Sequence, residues 1–398
     1  WLPDGVAIDD VELFGTKPLN TAFNYDTATV DAFTNPGATI PYVSGAPATT
    51  IYIKPTLTQL ENATFTIPVS ATLSSGCAAT GSVVVTNNTK IFKAGTTGTD
   101  WNLGTNWSPA GVPTANNCVV IFDNDVNITG TNYTALGRNL TIKPTGNLNV
   151  APTNTALITD FVNVEAGGIF EVEDDASLVQ VNNVANTVAG TFNSKRIAVT
   201  NNILDYVYWS TPVAGFSVNN ITPTSTYRYA WSPTTVTGYA SNFGNWTAAS
   251  GAMTTGRGYI VRGSSGNTTF AGVPNNGDIT IPISRSTYMA PSPSYTGPTS
   301  TQVTVDDDNW NLLGNPYPSA LSADAFLTAN LANLVPSVKI WTHGIDPAAI
   351  ADPFYQDYQL NYNTSDYITY NRLGGTQAGF DGYIGSGQGF FVLMNDAG

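Results

Sequence analysis

Short runs in which apolar and polar residues alternate occur throughout the chain, and helical periodicity is nearly absent. Thr50-Ile51-Tyr52-Ile53 and Ser82-Val83-Val84-Val85 are typical of these runs, which Gly or Pro residues separate. Their β-branched and aromatic residues fit the pleated, half-buried surface of a sheet. The pattern predicts an all-β fold with one helix over residues 320–334, which ends before Pro336.

Two units are predicted in the first quarter of the chain. Residues 1–15 alternate as far as Gly15 and predict the last strand of a preceding domain. Residues 16–95 hold several short strands separated by Pro and Gly, which predicts an immunoglobulin-like sandwich.

A repeat with a period of 22 residues follows. Gly146, Gly168 and Gly190 are 22 residues apart, and an apolar anchor residue lies two positions after each of them. The anchors of successive coils are Val126, Leu148, Phe170 and Phe192. A second strand repeats at Leu140, Ile142, Val162 and Val164, with Val120 one period before Ile142. Because this period is typical of solenoids, residues 96–195 predict a cap and a short parallel β-solenoid of about four coils.

The rest of the chain contains an internal duplication. Three segments of residues 196–290 recur in the same order in residues 291–398, with a linker at 289–300. The pairs are Tyr208-Trp209-Ser210-Thr211-Pro212 with Leu312-Leu313-Gly314-Asn315-Pro316, Tyr227-Arg228-Tyr229-Ala230-Trp231 with Val338-Lys339-Ile340-Trp341, and Gly256-Arg257-Gly258-Tyr259 with Gly387-Gln388-Gly389-Phe390. A duplicated β-sandwich region is predicted, and the two halves either pack face to face or form separate small domains.

Composition and charge disfavour some classes of function. Charged residues make up only 11% of the chain, and the net charge of −14 disfavours nucleic-acid binding. No apolar run reaches the roughly 20 residues that span a bilayer. The chain opens with Trp1-Leu2-Pro3-Asp4 rather than a signal peptide, which predicts a mature fragment.

The chain has two cysteines, Cys77 and Cys118. They are too few for a zinc site, which needs four ligands. In an oxidising compartment they would pair and join two neighbouring domains, and the alternative is two separately buried thiols.

Catalytic chemistry finds little support. His343 is the only histidine, and no serine nucleophile elbow lies near it in the sequence, so a structural role at a strand end is expected. Glu165, Glu171 and Glu173 are predicted to face outward from the solenoid rather than to form the carboxylate pair of a glycosidase. No catalytic residue is predicted.

The sequence offers two kinds of candidate binding site, one for calcium and one for sugars. Asp306, Asp307, Asp308, Asp123 and Asp125 form the densest acidic runs. They are candidate ligands of a structural calcium ion, with solvated turns as the alternative, and no other cofactor is expected. Trp231, Tyr239, Phe243 and Trp246 lie in a stretch with the composition of a loop, where aromatic rings could stack on sugars.

Particular motifs of the C-terminal half resemble the region upstream of the sorting domain in exported adhesins of Bacteroidota. These proteins include gliding-motility adhesins secreted by the type IX system. The motifs are Trp310-Asn311-Leu312-Leu313-Gly314-Asn315-Pro316-Tyr317-Pro318-Ser319, Lys339-Ile340-Trp341-Thr342-His343 and Tyr383-Ile384-Gly385-Ser386-Gly387-Gln388-Gly389-Phe390-Phe391-Val392. Residues 98–113, with Trp101 and Trp107, are similar to the cap that begins solenoid stretches in such proteins, and Ile8-Asp9-Asp10-Val11 resembles the last strand of a jelly roll.

The resemblance implies export across the outer membrane by the type IX machinery, through a C-terminal region absent here, and display on the cell surface. Within Asp26-Thr27-Ala28, Thr27 resembles a short O-glycan acceptor of Bacteroidota. The leading hypothesis is a non-enzymatic adhesin segment that acts as a spacer and attaches to an extracellular surface or polysaccharide. The alternative is a carbohydrate-binding accessory region of a secreted polysaccharide-degrading enzyme.

Overall fold

A computed structural model describes most of the chain in three consecutive β units. It describes residues 6–7, 23–27, 30–72, 78–92, 98–200, 202–235, 244–286, 309–343, 348–349, 360–361, 366–372, 374–375 and 380–395. Within these ranges strands dominate and the α-helices are α1 (Leu57–Leu60) and α2 (Ala323–Ala329), so the all-β prediction is confirmed. None of the described helices is long and apolar enough to cross a membrane.

The first unit is a sandwich of two antiparallel sheets. Its strands are β1 (Val6–Ala7), β2 (Phe23–Tyr25), β3 (Asp31–Phe33), β4 (Pro47–Ala48), β5 (Tyr52–Lys54), β6 (Thr64–Thr72) and β7 (Ala78–Thr86). One sheet has the order β1-β5-β3 and the other β4-β2-β6-β7. Ile53 from one sheet and Ile67 from the other belong to a single buried cluster. The assignment of residues 1–15 to a preceding domain is wrong for β1, because Val6 and Ala7 pair with β5.

The second unit is the solenoid, in which each complete coil contributes one strand to each of three faces. The strands are β8 (Thr89–Phe92), β9 (Trp107–Ser108), β10 (Cys118–Ile121), β11 (Asp125–Ile128), β12 (Thr134–Gly137), β13 (Asn139–Ile142), β14 (Asn147–Val150), β15 (Thr155–Ile158), β16 (Val162–Val164), β17 (Ile169–Val172), β18 (Ser177–Gln180), β19 (Thr187–Val188) and β20 (Thr191–Ala198). The faces have the orders β19-β16-β13-β10-β8-β9, β11-β14-β17-β20 and β12-β15-β18, and their neighbouring coils pair in parallel. Because β8 already belongs to the first face, the solenoid unit begins before the predicted boundary at residue 96.

The predicted anchors form one row inside the solenoid. Val126 pairs with Leu148, Leu148 with Phe170, and Phe170 with Phe192, and each is at most 1% exposed. The 22-residue period is therefore confirmed. The placement of Val120 opposite Ile142 is wrong, because the first face steps by 21 residues there and Ile142 lies opposite Ile121.

The third face, β12-β15-β18, was not predicted from the sequence. Its inward residues Ala135 and Ala156 are small, and outward Leu136 and Leu157 interrupt the simple apolar-polar alternation. The sequence pattern therefore showed two strands in each coil where the structure has three.

The third unit is a pair of antiparallel sheets packed face to face. Its strands are β21 (Tyr206–Trp209), β22 (Arg228–Ser232), β23 (Asn245–Ala248), β24 (Tyr259–Arg262), β25 (Gly266–Ala271), β26 (Trp310–Gly314), β27 (Leu321–Ser322), β28 (Leu334–Trp341), β29 (Ala348–Ala349), β30 (Leu360–Asn361), β31 (Tyr367–Asn371), β32 (Gly374–Gly375), β33 (Tyr383–Ile384) and β34 (Gly389–Met394). The inner sheet is β21-β24-β22-β23 and the outer sheet is β26-β34-β28-β31-β32.

The duplicated segments occupy equivalent places in these two sheets. β21, β24 and β22 of the inner sheet correspond to β26, β34 and β28 of the outer sheet, in the same spatial order. Tyr208 from the inner sheet and Phe391 from the outer sheet share one buried aromatic cluster. Of the two arrangements that the sequence left open, the structure has the face-to-face one.

The inner sheet also packs on the C-terminal end of the solenoid. Val207 and Trp209 belong to the solenoid core, whereas the alternate residue Tyr208 faces the outer sheet. β25 pairs antiparallel with β20, the last solenoid strand, and thereby extends that face. The order of layers is therefore solenoid, inner sheet, outer sheet and α2.

Helix α2 is shorter than the predicted helix over residues 320–334. Ser322 caps its N-terminus by accepting a hydrogen bond from the backbone N–H of Ala325. β27 precedes α2 directly, and β28 begins at Leu334. The linker at residues 289–300 lies outside the described residues.

Glycine is required where the coils meet at Gly190. A Cβ there would lie 2.3 Å from the carbonyl oxygen of Glu165 and 2.4 Å from that of Gly168. Both neighbours are backbone atoms, so the coil itself would have to move. The glycine period therefore reflects the close approach of successive coils.

We predict that Gly190→Ala lowers the free energy of unfolding of the solenoid by about 1–3 kcal/mol, because the new methyl group overpacks the corner. Equilibrium denaturation measures this change. The control is Gly81→Ala, since a Cβ at Gly81 meets nothing within 4 Å. Equal stabilities of the two variants would contradict the packing argument.

Candidate functional site

The two described residues of the predicted aromatic site lie between the sheets. Trp231 on β22 is directly opposite Trp246 on β23, and their ring centroids are 5.2 Å apart. Trp231 Nε1 donates a hydrogen bond to the carbonyl oxygen of Trp310, and both rings contact Phe391. The predicted loop location is wrong for these two residues, because they lie on strands and their rings fill the space between the sheets.

This placement changes the meaning of a substitution at either position. Both rings are partly buried against the aromatic cluster, so replacing Trp231 or Trp246 by Ala would remove packing between the halves as well as any contact with a sugar. Sugar binding at these rings stays a prediction. Several other predicted site residues lie outside the described residues: Tyr239, Phe243, Asp306, Asp307, Asp308 and Cys77.

The described acidic candidates do not converge on one point. Asp123 is exposed in the bend before β11 and Asp125 is exposed at the first position of β11, where its Oδ1 accepts a hydrogen bond of 2.6 Å from Asn147 Nδ2 in the next coil. Within the described part of the chain, no group of three or more His, Cys, Asp or Glu residues could hold a metal ion. Calcium binding stays a prediction.

The other two predicted site residues, Cys118 and Thr27, lie in different units, one in the solenoid and one in the first sandwich. Cys118 is partly buried at the start of β10, and its pairing with Cys77 stays a prediction. Thr27 is partly exposed in the turn after β2, where its backbone N–H donates to Ser44 Oγ. Its glycosylation also stays a prediction.

The only histidine joins the two halves of the C-terminal sandwich. His343, which follows β28, has its Nδ1 atom 3.4 Å from Asp205 Oδ2, just before β21. The Asp205 side chain is 1% exposed. The pair therefore connects the inner and outer sheets at one end of the sandwich, as expected for a structural histidine at a strand end.

The solenoid carboxylates form ion pairs with the neighbouring coil. Lys143 Nζ lies 2.7 Å from Glu165, and Lys195 Nζ lies 2.7 Å from Glu173 and 3.3 Å from Glu171. Partial burial lowers the pKa of Lys195, but the hydrogen bonds and charges of Glu173 and Glu171 outweigh it, so the pKa of Lys195 is raised. Each glutamate thus stabilises the stacking of coils.

The two halves of the duplication hold each other through reciprocal glycine turns. Ser210 N–H donates to the carbonyl oxygen of Gly387 at 2.7 Å, and the equivalent Gly314 N–H donates to that of Gly256 at 2.9 Å. Gly256 and Gly387 both have positive φ, at 77° and 62°. This backbone conformation favours glycine. Each half therefore supplies a turn that completes the edge of the other.

At Gly258 a side chain would collide with the opposite half. Its Cβ would lie 2.5 Å from both Leu312 Cγ and the carbonyl oxygen of Leu313. The Gly-x-Gly segments were visible in the sequence as part of the duplication. Their role in joining the two sheets requires the structure, because the contact is between distant residues.

Arg196 joins all three layers and was not predicted as a functional residue. It lies near the end of β20, and its Nη1 donates to the carbonyl oxygens of Tyr208 at 3.2 Å and Gly387 at 2.7 Å. The guanidinium Cζ lies 4.4 Å from the ring centroid of Trp209. Burial lowers the pKa of Arg196 to about 10, which leaves it charged at neutral pH. A single side chain therefore connects the solenoid with the inner sheet and with the outer sheet's Gly387.

Solenoid and sandwich consequently form one body with one junction. A single buried cluster contains Trp107 at the start of the solenoid, the anchor row and Phe270 of β25. We call the contacts of Arg196, Trp209, Gly256 and Gly387 the solenoid–sandwich junction. The role of this junction is structural, since Arg196 donates to backbone carbonyl oxygens and Trp209 Nε1 donates to Ser264 Oγ within the inner sheet's own half.

Comparison with known families agrees with this division. A family described as a domain of unknown function, DUF8693, matches residues 92–398, which is more than three quarters of the chain. The chain belongs to this family. The match begins at the last residue of β8, so it covers the solenoid and the sandwich together and leaves out the first sandwich. No curated protein and no solved structure matches the chain.

We predict that Arg196→Met lowers the free energy of unfolding by about 2 kcal/mol, because two buried carbonyl oxygens lose a charged donor. The control is Arg138→Met, the same substitution at a side chain that is 57% exposed and pairs with Asp160. An exposed ion pair contributes roughly 0–1 kcal/mol. Chemical denaturation of both variants checks this, and a larger loss for Arg138→Met would contradict the role of the junction.

Proposed function

We propose that this chain is a non-enzymatic spacer segment of a secreted bacterial cell-surface adhesin. The observation that carries the proposal is the single hydrophobic core that runs from the solenoid cap to the inner sheet. A body built in this way transmits force from coil to coil and from sheet to sheet through backbone pairing. Resemblance to exported adhesins of Bacteroidota supports type IX export and display on the outer surface.

The surface chemistry also supports a spacer. Charged residues are scarce, and the solenoid carboxylates are paired with lysines of adjacent coils. The only histidine, His343, contacts a buried carboxylate of the other half. The groups that most often perform acid–base chemistry therefore have structural contacts here.

The joint between the first sandwich and the solenoid supports the same proposal. Only Asn87 and Asn88 separate β7 from β8. Asn87 Nδ2 donates to the carbonyl oxygens of Leu60 at 2.6 Å and Asn62 at 3.0 Å, and its Oδ1 accepts from Thr89 N–H at 2.8 Å. One side chain thus fixes the direction in which the solenoid leaves the sandwich.

A binding assay separates the spacer from the alternative, a carbohydrate-binding accessory region. The purified chain is tested against a panel of polysaccharides, with calcium and again with a chelator. A spacer predicts no saturable binding in either condition. Saturable binding to one glycan class would overturn the proposal and support the alternative.

We predict that Asn87→Ala loosens the joint, because three side-chain hydrogen bonds are lost at a two-residue connection. Two spin labels, one on the first sandwich and one on the solenoid, report this as a broader distribution of distances. Asn88→Ala is the control, since the contacts of Asn88 with Cys118 and Asn117 use its backbone carbonyl oxygen. A broad distribution in the unmodified chain would contradict the rigid spacer.

A further inference from the structure

One edge of the first sandwich is open to another strand. β7 pairs with β6 over nine residues without a break in register. No other strand of the described residues pairs with β7, so it is an edge of its sheet. An edge strand presents a row of backbone groups that a further strand can use.

Two observations show which residues of β7 point their backbone groups outward. The Asn87 N–H donates to the carbonyl oxygen of Ala63, so these two residues form a hydrogen-bonded pair. Such pairs alternate along an antiparallel ladder. Pro68 lies opposite Ser82 and has no N–H to donate, so these two residues form a pair without hydrogen bonds between them. The N–H and C=O groups of Thr80, Ser82 and Val84 therefore point away from β6.

The edge lacks the features that prevent strand addition. Residues 78–86 contain no charged residue and no proline, and their pairing with β6 shows no bulge. Val84 is 62% exposed. Natural proteins usually protect a long edge with lysine, proline, a bulge or a covering segment.

We propose that β7 pairs antiparallel with β7 of a second copy of this chain, about a two-fold axis at Ser82. This register places Thr80 opposite Val84 of the other copy and Ala78 opposite Thr86. Pairs of β-branched residues favour such pairing. No like charges meet, because the strand has none.

The charged residues of the first sandwich lie outside β7. From β1 to β7, residues 6–86 contain two lysines and six acidic residues, Asp9, Asp10, Glu12, Asp26, Asp31 and Glu61, which gives a net charge of −4. The net charge of the whole chain is −14, so most of it belongs to the other units. The two strands that meet therefore carry no charge of their own.

The contact is small. One added strand buries far less than the roughly 1,200 Å² at which stable interfaces begin, so association is weak and needs a high local concentration. Copies attached side by side to one surface would meet this condition. Pairing of two copies through β7 goes beyond the proposed spacer role, and it is tested on the isolated chain.

Disulfide cross-linking of the full chain tests the register directly, in a background in which Cys77 and Cys118 are replaced by Ser. In the proposed dimer the two Ser82 Cα atoms are about 5.5 Å apart, within the range that a disulfide spans. We expect S82C to form a dimer under mild oxidation. V84C is the control, because the proposed register separates the two positions by about 13 Å.

Sedimentation of cysteine-free protein at up to about 1 mM provides the second readout. S82P removes an outward N–H and V84K adds a charge, so both should abolish the dimer, whereas S82T should keep it. Thermal unfolding confirms that each variant is folded. Equal cross-linking of S82C and V84C, a dimer that survives both S82P and V84K, or a monomer at all concentrations would overturn the proposal.

Discussion

The open ends of a β-solenoid are the constraint on which the rest of this structure depends. Every coil buries its inner residues by stacking on a neighbour, so the first and last coils would each expose an apolar cross-section and a row of unpaired backbone groups. At the first end, β9 extends the face through β8, and Trp101 and Trp107 are fully buried. At the last end, β25 pairs with β20, and Trp209 and Phe270 cover the core. The sandwich is therefore the terminal cap of the solenoid.

The inner sheet is the part of the sandwich that covers the solenoid, and both of its faces are apolar and must be buried. The inner sheet meets this requirement through alternation, with Val207 toward the solenoid and Tyr208 toward the outer sheet. The outer sheet is in turn covered by α2, through Leu327. Three successive layers thus depend on one another, which gives a physical reason for a family match that spans the solenoid and the sandwich together.

The solenoid is predictable from the sequence because one signal repeats in every coil. The glycines at 146, 168 and 190 and the anchors two positions later defined the solenoid, because backbone contact between coils leaves no room for a side chain. Prediction from the sequence failed where the pattern is ambiguous: the third face has small inward and aliphatic outward residues, so its alternation is weak. Trp246 was misplaced in a loop, because Gly, Ser and Asn around it concealed a four-residue strand. Arg196 carries no local signal, since its partners are 12 and 191 residues away.

The shared core and the junction make the solenoid, the inner sheet and the outer sheet one cooperative body. Native-state hydrogen exchange measures this most directly, by comparing amide protons of β14 in the solenoid with those of β34 in the outer sheet. We predict that the amide protons of both strands exchange through the same global opening, with equal free energies. Exchange in β34 through an opening of much lower free energy than that of β14 would contradict it and would make the sandwich an independent domain.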